Sequence, residues 1–188
     1  MKFVIAPDSF KGCMTAKQAC AAIRDGLLRV FPDAEYVMVP MADGGEGTVR
    51  SLVDATHGRI CSAQVLDPLQ RETFAEYGIL GNANDSGLTA IIEMSAASGI
   101  QFVDEHTRNP LVATTYGTGQ LMKHALDDGV RTIILGVGGS ATNDGGAGMA
   151  EALGVRFLDE HGNPIPRGGG FLDRLATVDV SGPGPRTA

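Results

Sequence analysis

The stretch "RTIILGVGGSATNDGGAGMAEALGVRFLD", residues 131–159, contains the pattern that decides the fold. It begins with an apolar run of the kind found in buried strands and continues through a glycine-rich turn into a segment with helical spacing. A second strand-like run, "VRFLD", then follows. Strands that alternate with helices in this way predict a mostly parallel sheet with helices on both faces.

The first 58 residues have the same order of elements. "KFVIA" predicts a strand, and Thr15 and Gln18 have the spacing of a capping box at the start of a helix. Pro32 is expected to end that helix, and "EYVMVP" predicts a second strand. A second helix, "EGTVRSLVDAT", should end at Gly58. The first helix has one apolar stripe, formed by Ala16, Ala19, Cys20, Ile23, Leu27 and Val30.

The segment 59–113 has a different pattern, with strand-like runs and no helical spacing between them. Its runs "RICSAQVL", "RETFAEYGIL" and "LTAIIEM" are strand-like and are separated by turn-forming stretches. We therefore predict an α/β fold in which 1–58 and 114–188 form one α/β domain and 59–113 is an inserted, antiparallel, β-rich part.

Composition and charge exclude several classes of partner. A net charge of −7 and a pI near 5.0 disfavour binding to nucleic acid or to an anionic membrane, because both would repel the protein. The three cysteines lack C-x-x-C spacing, and the four histidines lack the spacing of metal ligands. No signal peptide precedes the first strand, so we expect a cytoplasmic protein.

The frame D-G-G-x-G occurs twice, at Asp43 and at Asp144. Each copy follows a predicted strand and opens a predicted helix, where unpaired N–H groups and the helix dipole favour an anion such as phosphate. A carboxylate would repel a bare phosphate, so it suits a site that also binds a divalent cation or accepts a hydroxyl proton. The alternative is that both aspartates are simple N-caps.

Other candidates lie at similar strand ends and helix starts. Lys11 could neutralise a phosphoryl group as a point charge, although a solvated lysine is an equal alternative. Glu93 could receive a substrate hydroxyl or make a structural hydrogen bond, and the threonines of "ATTYGTGQ" could bind ligand or cap a helix. The predicted substrate and nucleotide contacts are Ser9, Gly44, Gly45, Glu93, Thr115, Thr118, Gly138, Gly139, Ser140, Thr142 and Asn143.

Several common catalytic motifs are absent from the sequence. It contains no G-x-x-x-x-G-K-[ST] loop, no G-x-G-x-x-G fingerprint, no H-E-x-x-H and no G-x-S-x-G. These absences disfavour a P-loop ATPase, a dehydrogenase, a zinc protease and an α/β-hydrolase.

Five motifs, taken in order, resemble the glycerate kinase family typified by the bacterial D-glycerate 2-kinases. The resemblance covers nearly the whole chain, from Lys2 to about Val180. Its motifs are "IAPDSFKG", "VPMADGGEGT", "IIEMSAASGI", "ATTYGTGQLMKHALDDG" and "GVGGSATNDGGAGMAEALG".

The resemblance implies transfer of the γ-phosphoryl group of ATP to a hydroxyl of D-glycerate, with Mg²⁺, to give phosphoglycerate, with 2-phosphoglycerate favoured. It also implies two α/β parts, one doubly wound and Rossmann-like, with an active site in the cleft between them. Onto the matching positions we assign Lys11 as the neutralising cation. One of Asp43 and Asp144 would act as base and the other would hold Mg²⁺, with Asp144 the candidate metal ligand. "GGSATN", residues 138–143, would cradle the nucleotide phosphates.

Family members continue beyond the point at which this sequence stops, so the resemblance predicts that the chain is an N-terminal half. An N-terminal half would form only part of the cleft, and catalysis depends on the positions of residues on both sides of it. A second hypothesis is therefore that the chain is a non-catalytic anion-binding or assembly module. The choice between 2- and 3-phosphoglycerate stays open, and so does the question of a homo-oligomer.

Overall fold

The structure, a computed structural model, describes residues 1–10, 13–81 and 87–182. Within these ranges the chain forms five α-helices, and short 3₁₀ turns lie at Ile100–Phe102 and Gly169–Arg174. The helices are α1 (Ala16–Leu28), α2 (Thr48–Thr56), α3 (Ser95–Ser98), α4 (Tyr116–Asp127) and α5 (Ala147–Ala152).

The strands of the described residues are divided among three sheets. Strands β1 and β2 form a parallel pair, β3 to β6 form a four-stranded sheet in chain order, and β7 and β8 form an antiparallel pair. In the central sheet, β5 and β6 are parallel, and the other two pairings are antiparallel. The strands are β1 (Lys2–Ile5), β2 (Glu35–Met38), β3 (Arg59–Leu66), β4 (Glu72–Ile79), β5 (Leu88–Glu93), β6 (Val130–Gly136), β7 (Arg156–Leu158) and β8 (Thr177–Asp179).

Strand β5 is the centre of the fold. Two consecutive residues of this strand, Ile91 and Ile92, are both fully buried, and their side chains point to opposite faces of the sheet. Ile92 belongs to the larger core, which includes Leu121 of α4, whereas Ile91 belongs to a smaller core with Val49 of α2. The central sheet is therefore covered by α4 on one face and by α2 on the other.

The predicted start of α1 is confirmed. Thr15 accepts a hydrogen bond from the Gln18 N–H, and the Gln18 side chain accepts one from the Thr15 N–H. Only the first half of the predicted apolar stripe is buried, because Ile23 is 40% exposed and Val30, beyond the helix end, is 69% exposed. The outer half of the stripe has no covering layer among the described residues.

The α/β class predicted from the sequence is confirmed. Strand β7, however, does not join the central sheet beside β6; it pairs with β8, and the Arg156–Asp179 ion pair links the two strands. The predicted boundary at 113/114 falls between β5 and β6, which are hydrogen-bonded neighbours, so the domain division stays a prediction. No helix among the described residues has both the length and the apolarity needed to cross a bilayer.

Candidate functional site

The first D-G-G-x-G frame makes a turn that ends at α2. Asp43 Oδ1 accepts a hydrogen bond of 3.0 Å from the Gly45 N–H, and Gly44 has a left-handed φ of 89°. The Thr48 hydroxyl closes the turn by donating to the Gly45 carbonyl and accepting from the Gly44 N–H. The Asp43 side chain is exposed, so this carboxylate is accessible to a ligand.

A second carboxylate occupies the start of α2. Glu93, at the end of β5, is 9% exposed and accepts a hydrogen bond of 2.7 Å from the Val49 N–H. Burial raises the pKa of Glu93 above its ordinary value of 4.5, and the nearby Glu46 raises the pKa further. The backbone N–H groups of α2 act in the opposite direction. The geometry therefore favours the structural hydrogen bond for Glu93 over contact with a substrate hydroxyl.

Asp144 in the second frame has a different environment. It is 1% exposed, and its carboxylate accepts hydrogen bonds of 2.8–3.2 Å from two side-chain hydroxyls and three backbone N–H groups. These five donors belong to Thr114, Thr115, Gly146 and Gly148. A carboxylate with both oxygens engaged in this way has little capacity left for a cation, so the geometry disfavours the metal-binding role predicted for Asp144.

The two frames begin alike and then diverge. In both, the aspartate Oδ1 accepts from the N–H two residues later, and the first glycine is left-handed. The third glycine of the first frame, Gly47, lies before α2 with a φ of 97°, whereas its counterpart Gly148 lies inside α5. The shared sequence pattern therefore produces the same turn after each aspartate, but the third glycine precedes the helix in the first frame and lies inside the helix in the second.

The two frames are connected at the end of β6. The Gly138 N–H donates a hydrogen bond of 3.2 Å to the Gly44 carbonyl. A Cβ atom on Gly136 would lie 2.4 Å from that same carbonyl oxygen, which explains why a glycine is needed there. The first frame therefore packs directly on the loop that leads to the second frame.

The predicted polar segment 138–143 borders a pocket of about 310 Å³. Ser140 and Thr142 form a hydroxyl pair at 2.7 Å, and the carbonyl of Gly139 accepts from the Ile100 N–H. The lining combines apolar side chains with polar groups, as is common in small-molecule sites. The lining residues are Met94, Thr115, Thr118, Leu135, Val137, Ser140, Thr142, Asn143, Asp144, Gly145, Gly146 and Met149.

Thr115 and Thr118 both line this pocket, but their hydroxyls are engaged within the protein. Thr115 Oγ1 donates to Asp144 and accepts from the Met149 N–H at 2.9 Å. Thr118 lies inside α4, fully buried, and its hydroxyl is 2.8 Å from the Ser98 hydroxyl. Helix α4 begins at Tyr116, so Thr118 is an interior helical residue and does not cap the helix.

The loop after β1 is only partly described. Ser9 is half-buried, and its N–H donates to Asp8 Oδ1 at 2.6 Å. The predicted cation, Lys11, lies outside the described residues. Its role stays a prediction.

Arg167 is the centre of a cluster that no sequence pattern predicted. The guanidinium lies 3.4 Å from the centroid of the Tyr116 ring and forms a two-pronged ion pair with Glu151 of α5. It also donates to Gln70 Oε1 at 3.1 Å. Arg167 therefore ties the start of α4, α5 and the β3–β4 turn together. The stretch "PRGGG" carried the only sequence signal, an arginine before three glycines.

The described residues contain no group of three or more His, Cys, Asp or Glu side chains that could hold a metal ion. A magnesium ion does not need such a cluster, because it commonly uses one or two carboxylates together with substrate phosphates. Asp43 is exposed and Asp144 is enclosed, so Asp43 is the carboxylate of the two frames that a ligand can reach.

Comparisons with known proteins agree on one family. The sequence profile of the glycerate kinase family matches residues 3–188. The chain is 55% identical over 186 residues to a glycerate kinase of Haemophilus influenzae, covering 99% of this chain and 48% of that protein. It is 51% identical over 186 residues to a glycerate 2-kinase of Escherichia coli, with the same shares covered.

A solved structure gives the same picture. The chain resembles a crystal structure described as a glycerate kinase 2 from Salmonella typhimurium LT2, with a TM-score of 0.83 and 51% identity. The match covers 99% of this chain and 49% of that one. The chain thus spans about half the length of the curated relatives it matches.

Proposed function

Because this chain belongs to the glycerate kinase family, we propose that it forms part of an ATP-dependent kinase that phosphorylates D-glycerate, with 2-phosphoglycerate as the favoured product. One observation carries the proposal. The exposed Asp43 carboxylate lies in a frame that is hydrogen-bonded, through Gly44 and Gly138, to the rim of a pocket containing hydroxyl and backbone donors.

The proposed chemistry transfers the γ-phosphoryl group of ATP to a glycerate hydroxyl. A new P–O bond forms to the hydroxyl oxygen, the bond to the ADP oxygen breaks, and the hydroxyl proton must move to a base. We assign that base to Asp43, the exposed carboxylate of the two frames. Lys11 is proposed to offset negative charge on the transferring group.

The pocket bordered by residues 138–143 is proposed to bind the nucleotide. Ser140, Thr142 and Asn143 supply polar groups beside the backbone of Gly145 and Gly146, and phosphate oxygens accept from such groups. Gly138, Gly139 and Gly45 allow close approach of the backbone, and Ser9 and the threonines are proposed to border the substrates.

Mg²⁺ is proposed as the cofactor and would be carried into the site on the ATP phosphates, because Asp43 is assigned as the base and Asp144 is enclosed by hydrogen bonds. When bound, this ion would neutralise charge on the β- and γ-phosphate oxygens. Asp144 is proposed to position the pocket instead, because its five hydrogen bonds join α4 to α5. We place the reaction in the cytoplasm, where ATP is available and where the free thiols Cys13, Cys20 and Cys61 stay reduced.

The test is a coupled assay of phosphoglycerate formation with this chain co-produced with the part of the Escherichia coli relative that the match leaves uncovered. Phosphorus NMR of the product distinguishes the 2- from the 3-isomer. Asp43→Asn should lower kcat by about 10²- to 10⁴-fold, the usual effect of losing a positioned base. Asp33→Asn, in an exposed turn, is the control. Normal turnover by Asp43→Asn would remove Asp43 from the mechanism.

A second candidate function is a non-catalytic assembly module. It is supported by the internal hydrogen bonds that already occupy Glu93 and Asp144, two of the carboxylates predicted to face ligands. Absence of turnover in a well-folded complex with the uncovered part would favour this function. Turnover that appears only on assembly would favour the kinase.

A further inference from the structure

Helix α5 follows directly after the second frame and is unusually short. It contains six residues, Ala147–Ala152, and one of them is Gly148. A helix of this length is not stable by itself, because few backbone hydrogen bonds offset the entropy that is lost when it forms, and an interior glycine weakens it further. The position of α5 is therefore set by contacts with the rest of the protein.

One set of these contacts joins α5 to the start of α4. Asp144 accepts hydrogen bonds from the Thr115 N–H at 2.8 Å and from the Gly148 N–H at 3.2 Å. The two segments touch at this point, because a Cβ atom on Gly148 would overlap the Thr114 hydroxyl. A shift of α5 away from α4 would therefore lengthen the hydrogen bond between Gly148 and Asp144.

Arg167 makes a second set of contacts between the same two helices. Its Nε and Nη2 atoms each donate to the Glu151 carboxylate at 3.0 Å. The guanidinium also lies 3.4 Å from the ring centroid of Tyr116, the first residue of α4. Glu151 lies three residues after Gly148 and so on the same side of α5. Arg167 therefore links α5 to α4 about one turn beyond the link made by Asp144.

The guanidinium of Arg167 is held in one orientation. Isolated surface ion pairs contribute little, but the Arg167 and Glu151 side chains are only 25% and 37% exposed, and their contact is two-pronged. The ring of Tyr116 supports the flat guanidinium, and Arg167 Nη1 donates to Gln70 Oε1 at 3.1 Å. A group fixed by three partners can in turn fix the helix that carries Glu151.

Helix α5 separates two cavities. Gly145, Gly146 and Met149, at the start of the helix, line the pocket of about 310 Å³ described above. Glu151 and Arg167 line a different cavity, of about 180 Å³. Arg167 is not among the residues that line the larger pocket. Any influence of Arg167 on that pocket must therefore pass through the position of α5.

We infer that Arg167 is a positioning residue for the nucleotide pocket. By holding Glu151 beside Tyr116 it fixes α5, and with α5 it fixes the backbone of Gly145 and Gly146 at the edge of the pocket. The inference rests on the proposed function, because it takes this pocket as the nucleotide site. It adds a residue that lies outside the pocket and acts through one of its walls.

Loss of the Arg167 link should weaken the binding of ATP selectively. A pocket with a loosely held wall must be ordered when its ligand binds, and this ordering lowers affinity. The frame that begins at Asp43 is held instead by Thr48 of α2 and by Gly138, neither of which belongs to α5. The KM for ATP should therefore rise, whereas kcat and the KM for glycerate should change little.

The kinetic test uses this chain co-produced with the part of the Escherichia coli relative that the match leaves uncovered. Arg167→Met removes the charge and the donors, and it should raise the KM for ATP about 3- to 10-fold, as is usual for residues that act through another element. Arg167→Lys keeps the charge but not the flat, two-pronged group, so its KM should be intermediate. The matched control is Arg174→Met, because Arg174 is exposed and also lies over an aromatic ring, 5.4 Å from the centroid of Phe171.

Hydrogen exchange of this chain alone gives a readout that does not need turnover. The Thr115 and Gly148 amides, which both donate to Asp144, should exchange about 3- to 10-fold faster in Arg167→Met than in the unmodified chain. Glu151→Gln removes the other charge of the ion pair and should have the same effect, so the test stands even if Arg167→Met fails to fold. In the double variant the two effects should not add, because both changes break one link.

Titration calorimetry with ATP in the absence of glycerate separates this inference from the proposed function. A complex that binds ATP less tightly after Arg167→Met, but transfers no phosphoryl group even when unmodified, would count against the kinase function alone. Unchanged exchange of the two amides, an equal rise in both KM values, or the same rise in Arg174→Met would each overturn the positioning role. A complex that binds no ATP would overturn it together with the nucleotide assignment.

Discussion

The carboxylate of Glu93 accepts a hydrogen bond of 2.7 Å from the backbone N–H of Val49, although 44 residues separate the two along the chain. This contact joins the end of the central strand β5 to the first turn of α2, directly after the frame that begins at Asp43. The candidate site is therefore supported by a buried carboxylate that was expected to face a ligand.

The first prediction concerns removal of this acceptor. Glu93→Ala should lower the free energy of unfolding by about 1–3 kcal/mol, because the Val49 N–H loses its partner in a buried place. Glu93→Gln keeps a side-chain oxygen and should cost less. Urea denaturation measures both, with the exposed Glu105→Ala as control. Equal stability of the alanine and glutamine variants would contradict a capping role.

The second prediction concerns pH. The pKa of Glu93 is raised in the folded protein, so the unfolded chain releases this proton first as pH increases. The contribution of Glu93 to stability should therefore be fully present below its ordinary pKa of 4.5 and should fall as pH rises through the folded pKa. Glu93→Gln should flatten that fall when the unfolding free energy is measured from pH 4 upward.

Asp179 serves as a control for the pH experiment, because its pKa is shifted in the direction opposite to that of Glu93. Hydrogen bonds from Ser181 lower its pKa to about 2, with a further contribution from Arg156. Its contribution should be present above its ordinary value of 3.8 and lost as pH falls toward 2. Asp179→Asn should thus change only the acid end of the profile. A Glu93→Gln profile parallel to that of the unmodified chain would refute the assignment to Glu93.

The third prediction separates the two aspartates. Asp144→Asn should destabilise the protein by about 2–4 kcal/mol, because an amide cannot accept from all five donors that now bond to the carboxylate. Asp43→Asn, at an exposed side chain, should change the free energy of unfolding by less than about 0.5 kcal/mol. Chemical denaturation of the two variants gives the comparison. Similar values for both would mean that Asp144 does not hold α4 to α5.

The fourth prediction concerns the junction between the frames. Gly136→Ala should be strongly destabilising, since its Cβ would lie 2.4 Å from the Gly44 carbonyl oxygen. Gly26→Ala is the matched control, because a Cβ atom on Gly26, in the last turn of α1, would have no neighbour within 4 Å. That control should stabilise the chain by about 0.4–1 kcal/mol. Thermal unfolding should therefore shift in opposite directions for the two variants, and a shift in the same direction would argue against the close approach.

Much of the local structure could be predicted from sequence. The capping box at Thr15, the alternation of strands and helices, and the turns after Asp43 and Asp144 follow from interactions between residues a few positions apart. Such interactions depend on side-chain size, backbone preference and hydrogen bonds that the neighbouring residues already specify. The family resemblance rests on the same local motifs, and the family match confirms it.

Tertiary structure decided the remainder. The two D-G-G-x-G frames differ in burial. Asp43 is exposed and Asp144 is buried, because only Asp144 packs against the start of a distant helix, α4. Strand β7 paired with β8 rather than with the central sheet. The apolar stripe of α1 is covered only where the chain supplies a second layer, and Ile23 remains exposed. Burial and long-range hydrogen bonding depend on partners far away in the sequence, which no local pattern specifies.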